Sequence, residues 1–193
     1  MKGMRALTDD EVIKVLGNFK GKFALRDKAL FILGIKSGFR ISEILSLTIG
    51  DVFKDGNFLD RVYVERKNMK CKREGRCVLL HPDTKAALTP WIQELLLSDA
   101  SESTYLFKSR NGDNRPISRV QAWKMLDRVF TDSGISGHLG THVLRKSFAK
   151  KIYSQLGHDL LRTQRALGHK SINSTISYLS FNEDQIDQAI LSI

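Results

Sequence analysis

The sequence predicts a mostly helical α+β domain with one small antiparallel sheet near residues 50 to 80. Two observations carry that prediction. Apolar residues recur at helical spacing through most of the chain, as in Leu144, Phe148, Ile152 and Leu156, whereas strand-like alternation is confined to Arg61-Val62-Tyr63-Val64-Glu65-Arg66 and the short apolar run Cys77-Val78-Leu79-Leu80. The turn Asp55-Gly56-Asn57 at the front of that segment supplies residues suited to a tight reversal.

Each element has its own local signal. Thr8-Asp9-Asp10-Glu11 is a helix start, with acidic groups at the positive end of the helix dipole. The same carboxylates could suggest a metal site, but capping explains them more simply. A second helix from about Arg26 carries Leu30, Phe31, Leu33 and Ile35 and stops before Gly38. Ile41, Ile44, Leu45 and Thr48 predict a short third helix that puts Arg40 and Glu43 together at spacing i, i+3. Pro82 opens a helix running to about Leu97, because proline's missing amide proton costs nothing in a first turn. Residues 98 to 104 read as a polar loop, and residues 109 to 116 as an exposed turn bearing Arg110 and Arg115. The next helix spans about Ser118 to Ser133, with Val120, Trp123, Met125, Leu126, Val129 and Phe130 as its apolar content.

Composition narrows the function classes. The 193 residues include 31 Lys+Arg against 21 Asp+Glu, a formal charge of +10, and 41% are apolar. That is enough apolar content for a core, and such a cationic excess is the electrostatic footprint of a nucleic-acid binder. Cys71 and Cys77 are too few for a disulfide framework or a zinc site, and no long apolar run predicts a signal peptide or membrane span. A cytoplasmic protein is expected, organised as a single domain over residues 1–193.

The chemistry concentrates between Thr141 and Tyr178. His142 and Arg145 lie three apart at one edge of an apolar helical stripe, where they should face a cleft rather than open water. Leu167-Gly168-His169 reads as a left-handed helix end followed by a corner, with Ser171 starting the next helix, and Tyr178 follows His169 by nine residues. Singly, each feature is more often structural: a surface pair, a helix stop, a packed tyrosine. Leu156-Gly157-His158 repeats the tripeptide without a tyrosine nine residues on.

In combination, the order His-x-x-Arg, Leu-Gly-His, Tyr resembles the tyrosine recombinase (phage integrase) family. Gly38-Phe39-Arg40-Ile41-Ser42-Glu43-Ile44-Leu45 resembles that family's first arginine box, and Lys70 lies in the predicted hairpin where the family keeps its lysine. The resemblance implies a recombinase catalytic-domain fold and a catalytic set of Arg40, Lys70, His142, Arg145, His169 and Tyr178, with Glu43 supporting Arg40. It implies site-specific cleavage and rejoining of double-stranded DNA through a 3′-phosphotyrosyl intermediate, with no metal or nucleotide cofactor. It also implies a dimer to tetramer on DNA and an accessory protein that bends DNA.

Two departures from the family pattern stand out. The amino-terminal helical domain that completes the family's clamp is expected to be absent from this chain, which is either a piece of a longer protein or similar to short members such as the fimbrial phase-switching invertases. The hairpin is about one residue longer than usual, which makes Lys72 an alternative general acid. Lys67, Arg73, Arg76, Arg110 and Arg115 are candidate DNA contacts, and residues 182–193 predict a tail helix with one apolar face. A type IB topoisomerase would share the chemistry, and a catalytically silent DNA-binding regulator would share the fold.

Overall fold

A computed structural model describes residues 4–64, 76–110, 113–179 and 190–192. The chain divides into two compact units, Met1–Phe148 and Ala149–Ile193.

In the first unit, α1 (Asp9–Leu16) starts with a complete capping box: Thr8 Oγ1 accepts from the Glu11 amide at 3.2 Å, and Glu11 Oε2 accepts from the Thr8 amide at 2.9 Å. Glu11 also meets Arg5 at 2.6 Å, and Arg5 donates to the Ser136 carbonyl at 2.9 Å. The arm before α1 is fastened further by Lys146 Nζ, which donates to the Met4 carbonyl, and by the Leu7 amide, which donates to Ser147 Oγ.

Helix α2 (Ala24–Ser37) buries the consecutive residues Ala29, Leu30, Phe31, Ile32 and Leu33, so it is covered on all sides and forms the core of this unit. It ends at Gly38, which is left-handed at φ 59°, ψ 25°. A Cβ there would stand 2.2 Å from Phe148 Cδ1, so glycine is required both by the backbone and by the neighbour.

Helix α3 (Ile41–Ser46) is shorter than predicted. Leu47 is extended, and Thr48 leaves the helix to pair with Asp51 and to bridge to Tyr105. Among the described residues, the expected single sheet is two separate two-stranded pairs. β1 (Phe53–Lys54) and β2 (Asn57–Phe58) join through Asp55 and Gly56, both at positive φ, the geometry of a two-residue hairpin turn. β3 (Arg61–Val64) pairs with β4 (Arg76–Leu79), with Val62 and Val64 buried. The residues between these two strands lie outside those described, and with them Lys67, Lys70, Cys71, Lys72 and Arg73.

α4 (Pro82–Leu96) is capped by His81, whose Nδ1 accepts from the Asp83 amide. α5 (Arg119–Asp132) has a Ser118–Gln121 capping box and buries Met125, Leu126, Val129 and Phe130. Val120 and Trp123, expected among its apolar packing, are exposed. α6 (His142–Gln155) continues from the first unit into the second. The second unit then forms α7 (Leu160–Leu167) and α8 (Ile172–Leu179). Most of the expected tail helix lies outside the described residues; Ile190 and Leu191 are helical and exposed.

Candidate functional site

In the first unit the site is built around the end of α2. The left-handed Gly38 reverses the chain, Phe39 is buried, and Arg40 emerges as the residue preceding α3. Glu43 holds Arg40 twice, accepting from its amide at 2.7 Å and from Nη1 at 2.8 Å. The Arg40–Glu43 pair expected from i, i+3 spacing is thus also a helix cap, which fixes both ends of the arginine.

Arg145 lies deeper than its helix position suggested, at 1% exposure. Its Nη1 donates to the Gly38 carbonyl, so the two arginines are tied to one turn from opposite sides of the sequence. His142 is more open than expected. Its imidazole is nonetheless held below the ordinary histidine range, first by partial desolvation and then by the positive charges of Arg145, Arg40 and Lys146. A neutral ring near pH 7 can accept a proton or donate a neutral hydrogen bond.

Arg76, expected along a DNA groove, instead turns inward. Its Nη1 donates to the Gly38 carbonyl at 2.9 Å and its Nη2 to the Ser37 carbonyl at 2.7 Å, and its Cζ lies 5.1 Å from the centre of the Phe39 ring. Carbonyls at a helix C-terminus have no partners within the helix and carry the negative end of its dipole, so they suit a guanidinium.

In the second unit, Gly168 ends α7 at φ 63°, as the Leu-Gly-His reading required. The following corner is clamped in both directions: the His169 amide donates to the Gln164 carbonyl at 3.1 Å, and Gln164 Nε2 donates to the His169 carbonyl at 3.0 Å. His169 Nδ1 lies 3.0 Å from the hydroxyl of buried Thr175, and its ring meets Tyr178 edge-on at 5.1 Å and 67°. Thr175 and Gln164 were missed in the sequence. The available signal was that Thr175 precedes Tyr178 by three residues, which puts both on one side of α8.

The repeated tripeptide behaves differently. Gly157 is left-handed, but His158 is left-handed as well, at φ 65°, and its ring packs at 5.0 Å on Tyr153, five residues before it. Of the remaining candidates, Arg110 lines a cleft with Phe23, Arg26, Lys124 and Arg128. Arg115 is exposed, and its carbonyl accepts from the Ser109 amide. Among the described residues, no helix is long and apolar enough to cross a membrane.

The chain is similar to several known proteins. The phage integrase family matches residues 5–185. The probable integrase/recombinase YoeC of Bacillus subtilis is 35% identical over 159 residues, covering 82% of this chain and 80% of that protein. The tyrosine recombinase XerD of Halalkalibacterium halodurans is 31% identical over 90% of this chain and 56% of its own length. Against XerD and similar relatives, therefore, the chain spans about half of the whole protein. Among solved structures, XerH bound to a palindromic difH substrate in a post-cleavage complex aligns with a TM-score of 0.76 at 26% identity, over 96% of this chain and 51% of that one. XerA recombinase aligns with a TM-score of 0.77 at 22% identity over 98% of this chain and 66% of its own, a likeness of fold. A mostly helical domain with small antiparallel strand pairs, an arginine turn closed by Glu43 and a clamped histidine set against a tyrosine thus accompany one extended match, and the chain belongs to the phage integrase family.

Proposed function

We propose that this chain is the catalytic domain of a site-specific DNA recombinase that cuts and rejoins strands through a covalent link to Tyr178. The observation that carries the reading is the His169–Tyr178 pair, in which a histidine fixed by Thr175 and Gln164 meets the ring of a tyrosine at 5.1 Å. A phenol is a poor nucleophile at its ordinary pKa of about 10, so a base held beside it has a clear use.

In the proposed reaction Tyr178 Oη attacks the scissile phosphorus, and the bond to the 5′ oxygen breaks. With its proton on Nδ1 facing Thr175, His169 accepts the phenol proton at Nε2. Arg40, Arg145 and His142 act on the same phosphate and stabilise the charge of the pentacoordinate transition state. The forked guanidinium suits this task because it binds two phosphate oxygens and stays charged. Lys70 gives a proton to the departing 5′ oxygen, with Lys72 as the alternative donor. The products are a 3′-phosphotyrosyl link and a free 5′-hydroxyl. That link conserves the bond energy, so rejoining needs neither a nucleotide nor a metal.

Double-stranded DNA is the proposed substrate. XerH is described bound to difH DNA and lambda integrase as a dimer bound to a COC′ core site; by analogy, more than one copy of this chain is proposed to act together on DNA. The net charge of +10 supports such binding, which should weaken steeply as salt rises.

The test is capture from a library of random-sequence duplexes, each nicked so that the short cleaved fragment diffuses away. Duplexes that remain attached to the protein after denaturation are sequenced. The reading expects one recovered sequence family with the unaltered chain and none with Tyr178→Phe. Equal recovery with both proteins would exclude Tyr178 as the nucleophile.

A further inference from the structure

We infer that Arg76 is a positioning residue for Arg40, holding the turn that aims it at phosphate; this rests on the recombinase reading. Arg76 touches each of the three residues before Arg40. It donates to the Ser37 carbonyl at 2.7 Å and the Gly38 carbonyl at 2.9 Å, and it lies 5.1 Å from the Phe39 ring centre. Glu43 fixes Arg40 from the other side, at 2.7 Å to its amide and 2.8 Å to Nη1. Arg40 is therefore held between an anchored turn and an anchored helix start.

The Gly38 carbonyl gives this arrangement its wider reach. It accepts from Arg76 and from Arg145, and a carbonyl oxygen has two lone pairs with which to do so. One peptide oxygen thereby sets the position of both proposed phosphate-binding arginines. Arg76 begins β4, so this contact also anchors the β3–β4 pair to the arginine turn. A lysine could not reproduce it, because one ammonium lacks the planar fork that reaches two carbonyls at fixed spacing.

Positioning can be separated from simple loss of charge by changing the charge on the substrate. A methylphosphonate at the scissile position replaces one anionic oxygen with a methyl group, so its transition state needs less from an accurately placed arginine. The unaltered chain, Arg76→Met and Arg76→Lys are compared for the rate of covalent adduct formation on a captured duplex, with phosphate and with methylphosphonate. DNA affinity and the unfolding midpoint are measured alongside.

Arg76→Met should slow the phosphate reaction about tenfold, less than the hundredfold or more that follows loss of a transition-state donor itself. On methylphosphonate the slowing should shrink to about twofold, with DNA affinity unchanged within about the same factor. Arg76→Lys should recover less than half of the lost rate. Equal slowing on both substrates, full recovery with lysine, or no slowing would overturn the inference. Should Arg76→Met fail to fold, the two substrates are compared with Arg76→Lys, and the same ratio decides. If the unaltered chain forms no adduct at all, the recombinase reading falls and this inference with it; normal adducts with indifferent Arg76 variants refute the inference alone.

Discussion

Replacing Gly38 with alanine should destabilise the protein by two separable effects. The left-handed backbone at φ 59° costs an alanine about 1–2 kcal/mol. The new Cβ would also stand 2.2 Å from Phe148 Cδ1 and 2.8 Å from Cε1 and Cγ, well inside the 3.5–4.0 Å at which carbons pack favourably. Relieving that overlap should cost about 1–3 kcal/mol more. Gly56 supplies the control: it is left-handed at φ 79°, yet a Cβ there would meet nothing within 4 Å. Gly56→Ala should therefore show the backbone effect alone. In thermal unfolding, each kcal/mol corresponds to about 2–4 °C for a chain of this size, so Gly38→Ala should melt several degrees below Gly56→Ala. Equal midpoints would refute the packing argument and with it the tight seating of the Arg40 turn.

Three further outcomes are expected. Thr175→Val removes the hydroxyl beside His169 Nδ1 while keeping the shape of the side chain; it should slow covalent adduct formation about five- to tenfold, an orientation loss near 1 kcal/mol, and Thr175→Ser should restore it. An undiminished rate with valine would remove Thr175 from the site. Arg5 holds the Glu11 carboxyl down at about 2, below the usual carboxylate range. A depressed folded-state pKa stabilises above the unfolded value near 4.5, and the contribution disappears as pH falls from there toward 2; for this partly exposed pair it is about 1 kcal/mol, so Arg5→Gln should lose stability at pH 7 but little near pH 2. A constant difference in unfolding free energy across that range would contradict it. Finally, sulfur in place of the bridging 5′ oxygen leaves without a proton, so it should rescue Lys70→Ala but not Arg145→Ala; rescue of Lys72→Ala instead would move the proton donor two residues along.

What the sequence revealed was mainly what neighbouring residues decide among themselves. The Thr8–Glu11 box, the helix stop at Gly38, the left-handed end at Gly168, the Asp55-Gly56 turn and the Arg40–Glu43 pair are each set within a few residues, and each occurs as read. What it concealed depends on distant partners. Thr48 follows a helical pattern but is drawn out of α3 by Asp51 and Tyr105. Arg76 sits in a strongly basic stretch, yet the carbonyls that receive it are 38 and 39 residues away. The burial of Arg145 likewise depends on a carbonyl 107 residues earlier, which no local spacing could reveal. Helix periodicity placed Val120 and Trp123 with the apolar content of α5, but which side of a helix is covered is settled by its neighbours.

The most direct test of the central claim is the chemical identity of the protein–DNA bond. The covalent adduct formed on a captured duplex is digested with nuclease and protease, and the modified peptide is sequenced by mass spectrometry. The expected product is a peptide carrying a nucleotide on Tyr178 through its 3′-phosphate, released alongside DNA with a free 5′-hydroxyl. A nucleotide on any other residue, or one attached through a 5′-phosphate, would contradict the proposed mechanism.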